Sequence, residues 1–176
     1  MTGPVLVLVG PPGAGKTTVG TGVARRLGVP FRDTDADVEA ATGTTVADLF
    51  VQHGEPRFRA LEQAAVATAL AEHTGVLALG GGAVTNAATR ELLVAHGRGG
   101  GTVVWLDVDV PSAAKRVGLS RDRPLLAVNP RAMLRSMLET RAPLYREVST
   151  ATVTTSARPV GDVVADVLAA VRSVTS

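Results

Sequence analysis

The chain contains no cysteine. Disulfides, thiolate metal sites and cysteine nucleophiles are therefore excluded. Aromatic residues are nearly as scarce, with one tryptophan, one tyrosine and three phenylalanines in 176 residues. The core must be built from Val, Leu and Ala instead. Lysine occurs only at Lys16 and Lys115, against sixteen arginines. Those arginines are scattered, without a basic run or interleaved aromatics, and the net charge is only +2. Nucleic acid is therefore not expected as a partner. No apolar run approaches the ~18 residues of a membrane span, so no membrane association is expected. His53, His73 and His96 lie too far apart for a local metal motif. They are expected at the surface near helix ends.

What is present fits one domain over residues 1–176, long enough to bury a core. The first apolar run, Val5–Val9, meets glycine after five residues and lacks the flanks of a signal peptide. A cytoplasmic protein is expected.

That glycine opens the most informative stretch, Gly10-Pro11-Pro12-Gly13-Ala14-Gly15-Lys16-Thr17. It fits the phosphate-binding pattern G-x-x-x-x-G-K-[ST]. Val19, Val23, Ala24 and Leu27 follow at helical spacing. Glycine lets a polyphosphate approach the backbone N–H groups closely. The following helix presents its positive end to the anion. Lys16 can reach the β- and γ-phosphates, and the Thr17 hydroxyl can ligate Mg²⁺.

Further along, short apolar strands alternate with helices. Strands are expected at 5–9, 29–33, 76–79, 102–107 and 150–155. Helices are expected at 17–27, 36–42, 56–73, 87–95, 111–117, 130–140 and 160–174, with Asn129 as an N-cap. Such alternation implies a parallel sheet covered on both faces, with ligands at the carboxyl ends of its strands. The glycines of 97–101 precede a strand and suggest a flexible surface turn.

Several groups near strand ends can carry chemistry. Asp33-Thr34-Asp35 either aims two carboxylates into one site, as strand alternation allows, or caps the next helix. Gly80-Gly81-Gly82 either admits a ligand to the main chain or is a tight strand exit. Arg59 and Glu62, at i and i+3, form either an oriented carboxylate receptor or a surface ion pair. Phe58 suits a buried face or a pocket wall. The loop 118–124 carries Arg121 and Arg123 and could close over phosphates. Arg141 closes a helix, where a cation also complements the dipole.

Together these stretches resemble the shikimate kinases. The resemblance rests on GPPGAGKTTVG, DTDADVEAATG, VADLF, the segment Gly54–Glu62, LGGGAV, RPLL and RAPLY. It implies a three-layer α/β/α P-loop kinase with a five-stranded parallel sheet in order 2-3-1-4-5. A substrate-binding region would span about 33–62 and a mobile lid about 118–130. It implies ATP bound by Gly13, Ala14, Gly15, Lys16, Thr17 and Thr18, with Arg116 and Arg158 flanking the adenine and Arg123 reaching the phosphates from the lid. Thr17 would contact Mg²⁺, and Asp33 would hold it through water. Asp35 would meet the shikimate hydroxyls as candidate base, while Arg59, Gly81, Gly82 and Arg141 would complete the substrate site. Lys16, Asp35 and Arg123 would be the catalytic set. A monomer phosphorylating the 3-hydroxyl of shikimate is the implied activity. The alternatives are a kinase for another polyol acid such as gluconate or for a nucleoside monophosphate, and a catalytically inactive nucleotide-binding regulator.

Overall fold

The computed structural model describes residues 2–118 and 130–174. Arg123 and most of the expected lid lie outside the described residues. Five strands form one parallel sheet: β1 (Leu6–Val9), β2 (Phe31–Asp33), β3 (Val76–Ala78), β4 (Thr102–Asp107) and β5 (Ala151–Thr154). Their order is β2-β3-β1-β4-β5, as the resemblance implied. In register, Leu8 lies beside Ala78 on one flank and Val104 on the other.

The helices are α1 (Lys16–Leu27), α2 (Thr34–Thr42), α3 (Val46–Glu72), α4 (Ala87–Arg98), α5 (Val110–Val117), α6 (Pro130–Val148) and α7 (Val160–Val174). The central strand explains its own sequence. Leu6 and Leu8 pack with Val23, Val164 and Val167 of α1 and α7. Val7 and Val9 face the other way, toward Val66, Leu93 and Tyr145 of α3, α4 and α6. Both faces are covered, so no polar residue alternates. Each such buried side chain contributes about 1.5–3 kcal/mol, whereas a solvent-accessible ion pair such as the partly exposed Arg158–Asp166 contributes about 0–1 kcal/mol. The two apolar layers therefore hold the fold. A smaller cluster of Val38, Leu49 and Phe58 joins α2 to α3.

Several boundaries differ from the expectation. Strand β2 ends at Asp33 as expected, but α2 begins at Thr34 rather than Ala36, so of the two readings of Asp33-Thr34-Asp35 the helix cap holds and Asp35 lies in the first turn of α2. The non-helical Gly54 (φ 77°, ψ 169°) divides α3 in two, so the expected helix does begin beside Pro56, and the difference is an additional helical segment from Val46 ahead of it. Pro56 thus follows a kink, where its missing N–H costs little. Helix α6 does not stop at Thr140 but continues through Pro143 to Val148. Burial of Tyr145 and Val148 outweighs the one hydrogen bond that Pro143 forgoes. Helix α4 runs on to Arg98, so Gly97 is helical, and Gly101 is buried beside the His96 ring. His73 is buried rather than exposed, because its Nε2 shares a hydrogen bond of 3.0 Å with the Val76 carbonyl.

Candidate active site

The carboxyl ends of β1, β2 and β3 open on a cleft of about 330 Å³. Its floor is the loop between β1 and α1. Gly15 caps α1 in the left-handed region (φ 90°) with no side-chain hydrogen bond, which leaves the helix end to an anion. Gly13, Gly15, Lys16, Thr17 and Thr18 line the cleft, while Ala14 turns its methyl into the core. Lys16 Nζ donates to the carbonyls of Gly10 (2.7 Å) and Pro11 (3.0 Å), so the ammonium is held against its own loop.

Asp33 fulfils both of its possible roles. Oδ1 caps α2 by accepting from the Asp35 N–H at 2.9 Å. Oδ2 accepts from Thr17 Oγ1 at 3.3 Å. A hydroxyl and one carboxylate beside a phosphate loop fit Mg²⁺, which takes few protein ligands and keeps several waters. Among the described residues no cluster of three or more acidic or imidazole side chains could hold a metal by itself.

Arg116 also lines the cleft, yet its guanidinium is engaged with the backbone. Nη1 donates to Gly13 O (2.9 Å) and Thr155 Oγ1 (3.2 Å), and Nη2 to Thr155 O (2.9 Å). It thereby ties the phosphate loop to the end of β5. Arg158 turns the other way, to Thr154 O (2.9 Å) and Asp166 of α7 (2.8 Å).

The far end of the cleft is the glycine turn after β3. It packs directly on the phosphate loop: a Cβ on Gly81 would lie 2.7 Å from Pro12 Cδ. The Arg59 guanidinium lies over Gly82, 5.3 Å from the Phe58 ring centroid and 5.9 Å from that of Phe50. Glu62 Oε1 accepts from Arg59 Nη1 at 2.7 Å, and Glu55 Oε1 from Nε and Nη2 at 3.3 and 3.2 Å. Arg59 is thus an oriented, mostly buried group, not a surface ion pair.

Glu62 is only 2% exposed. Burial raises its pKa above the ordinary carboxylate value; the adjacent Arg59 opposes this shift, and the Asp35 charge adds to it. A Cβ on Gly80 would lie 2.6 Å from Glu62 Oε2 and 2.7 Å from Asp35 Oδ1, so the two carboxyl groups meet over this glycine. Asp35 therefore reaches the cleft from a helix, not by strand alternation. Tyr145 donates from Oη to the Gly81 carbonyl at 2.5 Å, and Arg141, one turn earlier on α6, interacts with the same hydroxyl.

Sequence reasoning missed Tyr145, Glu55 and Phe50. The i, i+4 spacings of Arg141 with Tyr145 and of Glu55 with Arg59 were the available signals.

The phosphate loop, Asp33, Asp35 and the glycine turn line one cleft, with Arg59 seated on the adjoining Gly82, the arrangement of a P-loop phosphotransferase. Relatives narrow the class. The family model for shikimate kinase matches residues 12–172. A shikimate kinase of Frankia casuarinae is 60% identical over 94% of this chain and 71% of its own length. One from Salinispora arenicola is 59% identical over 88% of this chain and 90% of its own. A solved shikimate kinase from Acinetobacter baumannii, in complex with shikimate, superposes with a TM-score of 0.91 at 39% identity, covering 98% of this chain and 94% of that one. The chain belongs to the shikimate kinase family, and it is a kinase.

Proposed function

We propose that the protein transfers the γ-phosphoryl group of ATP to the 3-hydroxyl of shikimate, releasing ADP and shikimate 3-phosphate. The observation that carries this reading is the contact between Gly81 and Pro12, which sets the acceptor turn directly against the phosphate loop. Relatives named shikimate kinase support this acceptor over gluconate or a nucleotide.

On the donor side, the N–H groups of 13–18 and Lys16 bind the phosphates, and Arg116 steadies Gly13 beside the nucleotide. Lys16 must leave Gly10 and Pro11 to meet a phosphate, exchanging two carbonyls for a stronger anionic partner. Thr17 and Asp33 would hold Mg²⁺, which when bound offsets the negative charge of the phosphate oxygens. Arg158 would have to release Asp166 to flank an adenine.

On the acceptor side, residues 33–62 and the glycine turn receive the acid. Arg59 and Arg141 bind its carboxylate, with Gly81 and Gly82 close beneath the ring. Asp35 orients the attacking hydroxyl and is placed to accept its proton. Arg123 and the lid of 118–130 would complete the charge around the phosphoryl group and exclude water. All these groups come from one chain of a single domain, so a monomer suffices, and ATP use suits a cytoplasmic enzyme.

The test is to incubate the protein with MgATP and shikimate and locate the new phosphate by phosphorus–proton coupling. Coupling to the C3 proton, absent with Lys16→Met, is expected. Phosphate on another carbon would refute the proposed regiochemistry.

A further inference from the structure

The chain has a single tyrosine, and it is buried at 1% exposure beside the acceptor end of the cleft. A buried hydroxyl needs partners, and two are present. Oη donates to the Gly81 carbonyl at 2.5 Å, across 64 residues of sequence. Arg141, one helical turn away on α6, interacts with the same hydroxyl. The ring is held from behind by stacking on Trp105, with centroids 5.8 Å apart and planes at 28°. The Arg146 guanidinium lies over that indole, 5.8 Å from its centroid.

Burial pushes the phenol up to about 12, so it is a neutral donor throughout the working pH range. A neutral hydroxyl can donate to one group and accept from another at once. Arg59 already rests on the next glycine of the same turn, Gly82. The turn is therefore gripped by one arginine directly and faced by the other through a phenol.

We propose that Tyr145 is a positioning residue for the acceptor: its hydroxyl couples Arg141 to the Gly81 carbonyl and so fixes the spacing between the two arginines that receive the carboxylate. This rests on the substrate-site reading above for Arg59 and Arg141. Tyr145 touches no substrate in this arrangement. It sets where Arg141 points and how the glycine turn lies beneath the acid.

The test is Tyr145→Phe, alone and combined with Arg141→Lys. Phenylalanine keeps the ring, its stacking on Trp105 and its buried area. The readouts are kcat, KM for shikimate, KM for ATP and the melting temperature. Losing one hydrogen bond of ordinary strength should raise the shikimate KM of Tyr145→Phe about tenfold. The ATP KM should stay within about twofold. With Arg141→Lys already present, adding Tyr145→Phe should have much less effect, because the group it positions is gone. An unchanged shikimate KM in a folded Tyr145→Phe enzyme would overturn the proposal. So would equal losses for shikimate and ATP, or the same Tyr145→Phe effect in both backgrounds. Arg141→Lys alone reports separately on the underlying reading: if its shikimate KM is normal, the carboxylate assignment fails, and the coupling with it.

Discussion

Replacing Gly82 by alanine separates acceptor binding from folding. Gly82 has φ −99° and ψ 3°, a backbone state open to alanine. The three atoms nearest the added methyl all belong to the Arg59 guanidinium. The methyl would sit 2.5 Å from Arg59 Cζ, well inside van der Waals contact. Arg59 must then tilt off the Phe58 and Phe50 rings or give up its 2.7 Å bond to Glu62. Either movement spoils the fork that receives a carboxylate. A hydrogen bond to a charged group is worth about 1.5–3 kcal/mol, and about 1.4 kcal/mol is a tenfold change. The shikimate KM should therefore rise roughly ten- to a hundredfold. Stability should hardly change, because alanine for glycine at a tolerated φ contributes about 0.4–1 kcal/mol through the unfolded chain and offsets the local strain. Initial rates against shikimate at saturating ATP, and the reverse, provide the assay, with a melting curve beside them. A folded Gly82→Ala enzyme with a shikimate KM within twofold of wild type would refute the placement of Arg59.

Lys16→Met should lower kcat by about 10²–10³-fold or more while the melting temperature stays close to wild type, measured by ADP release and calorimetry. Glu55 is half exposed and shares the Nε/Nη2 edge of Arg59, so Glu55→Gln should tighten shikimate binding. An exposed pair is worth about 0.2–1 kcal/mol, so the dissociation constant should fall up to about fivefold in a titration. The raised pKa of Glu62 means that folding favours its protonated form. Its contribution to stability is present below the ordinary carboxylate value and lost as pH rises through the folded value. Melting temperatures measured across that window should fall more steeply with pH for wild type than for Glu62→Gln; parallel curves would contradict the assignment.

Much of this was legible because the patterns are local. The phosphate loop, the continuous apolar strands and the alternation of strand and helix lie within a few residues of one another. They imply the sheet and its functional edge. One local signal misled and another was ambiguous. Proline at 143 suggests a helix end, but the bond it forgoes is small beside the burial of Tyr145 and Val148. Asp33-Thr34-Asp35 leaves strand alternation and a helix cap both open, and the structure takes the cap, with α2 beginning at the next residue. The couplings that shape the cleft were not legible. Arg116 reaches Gly13 across 103 residues and Tyr145 reaches Gly81 across 64, and no spacing rule spans such separations. The scarcity of aromatics acquires a meaning only in three dimensions. Phe50 and Phe58 pair under Arg59, and Trp105 stacks on Tyr145, whose hydroxyl meets the glycine turn.

The most direct measurement is the rate of ADP release with MgATP and each of shikimate, quinate, gluconate and AMP, using Lys16→Met as blank. The expected result is turnover that depends on shikimate and exceeds that with every other acceptor in kcat/KM. Turnover with gluconate or AMP and none with shikimate would contradict the assigned acceptor site. ADP release indifferent to all four would contradict phosphoryl transfer to a small acid.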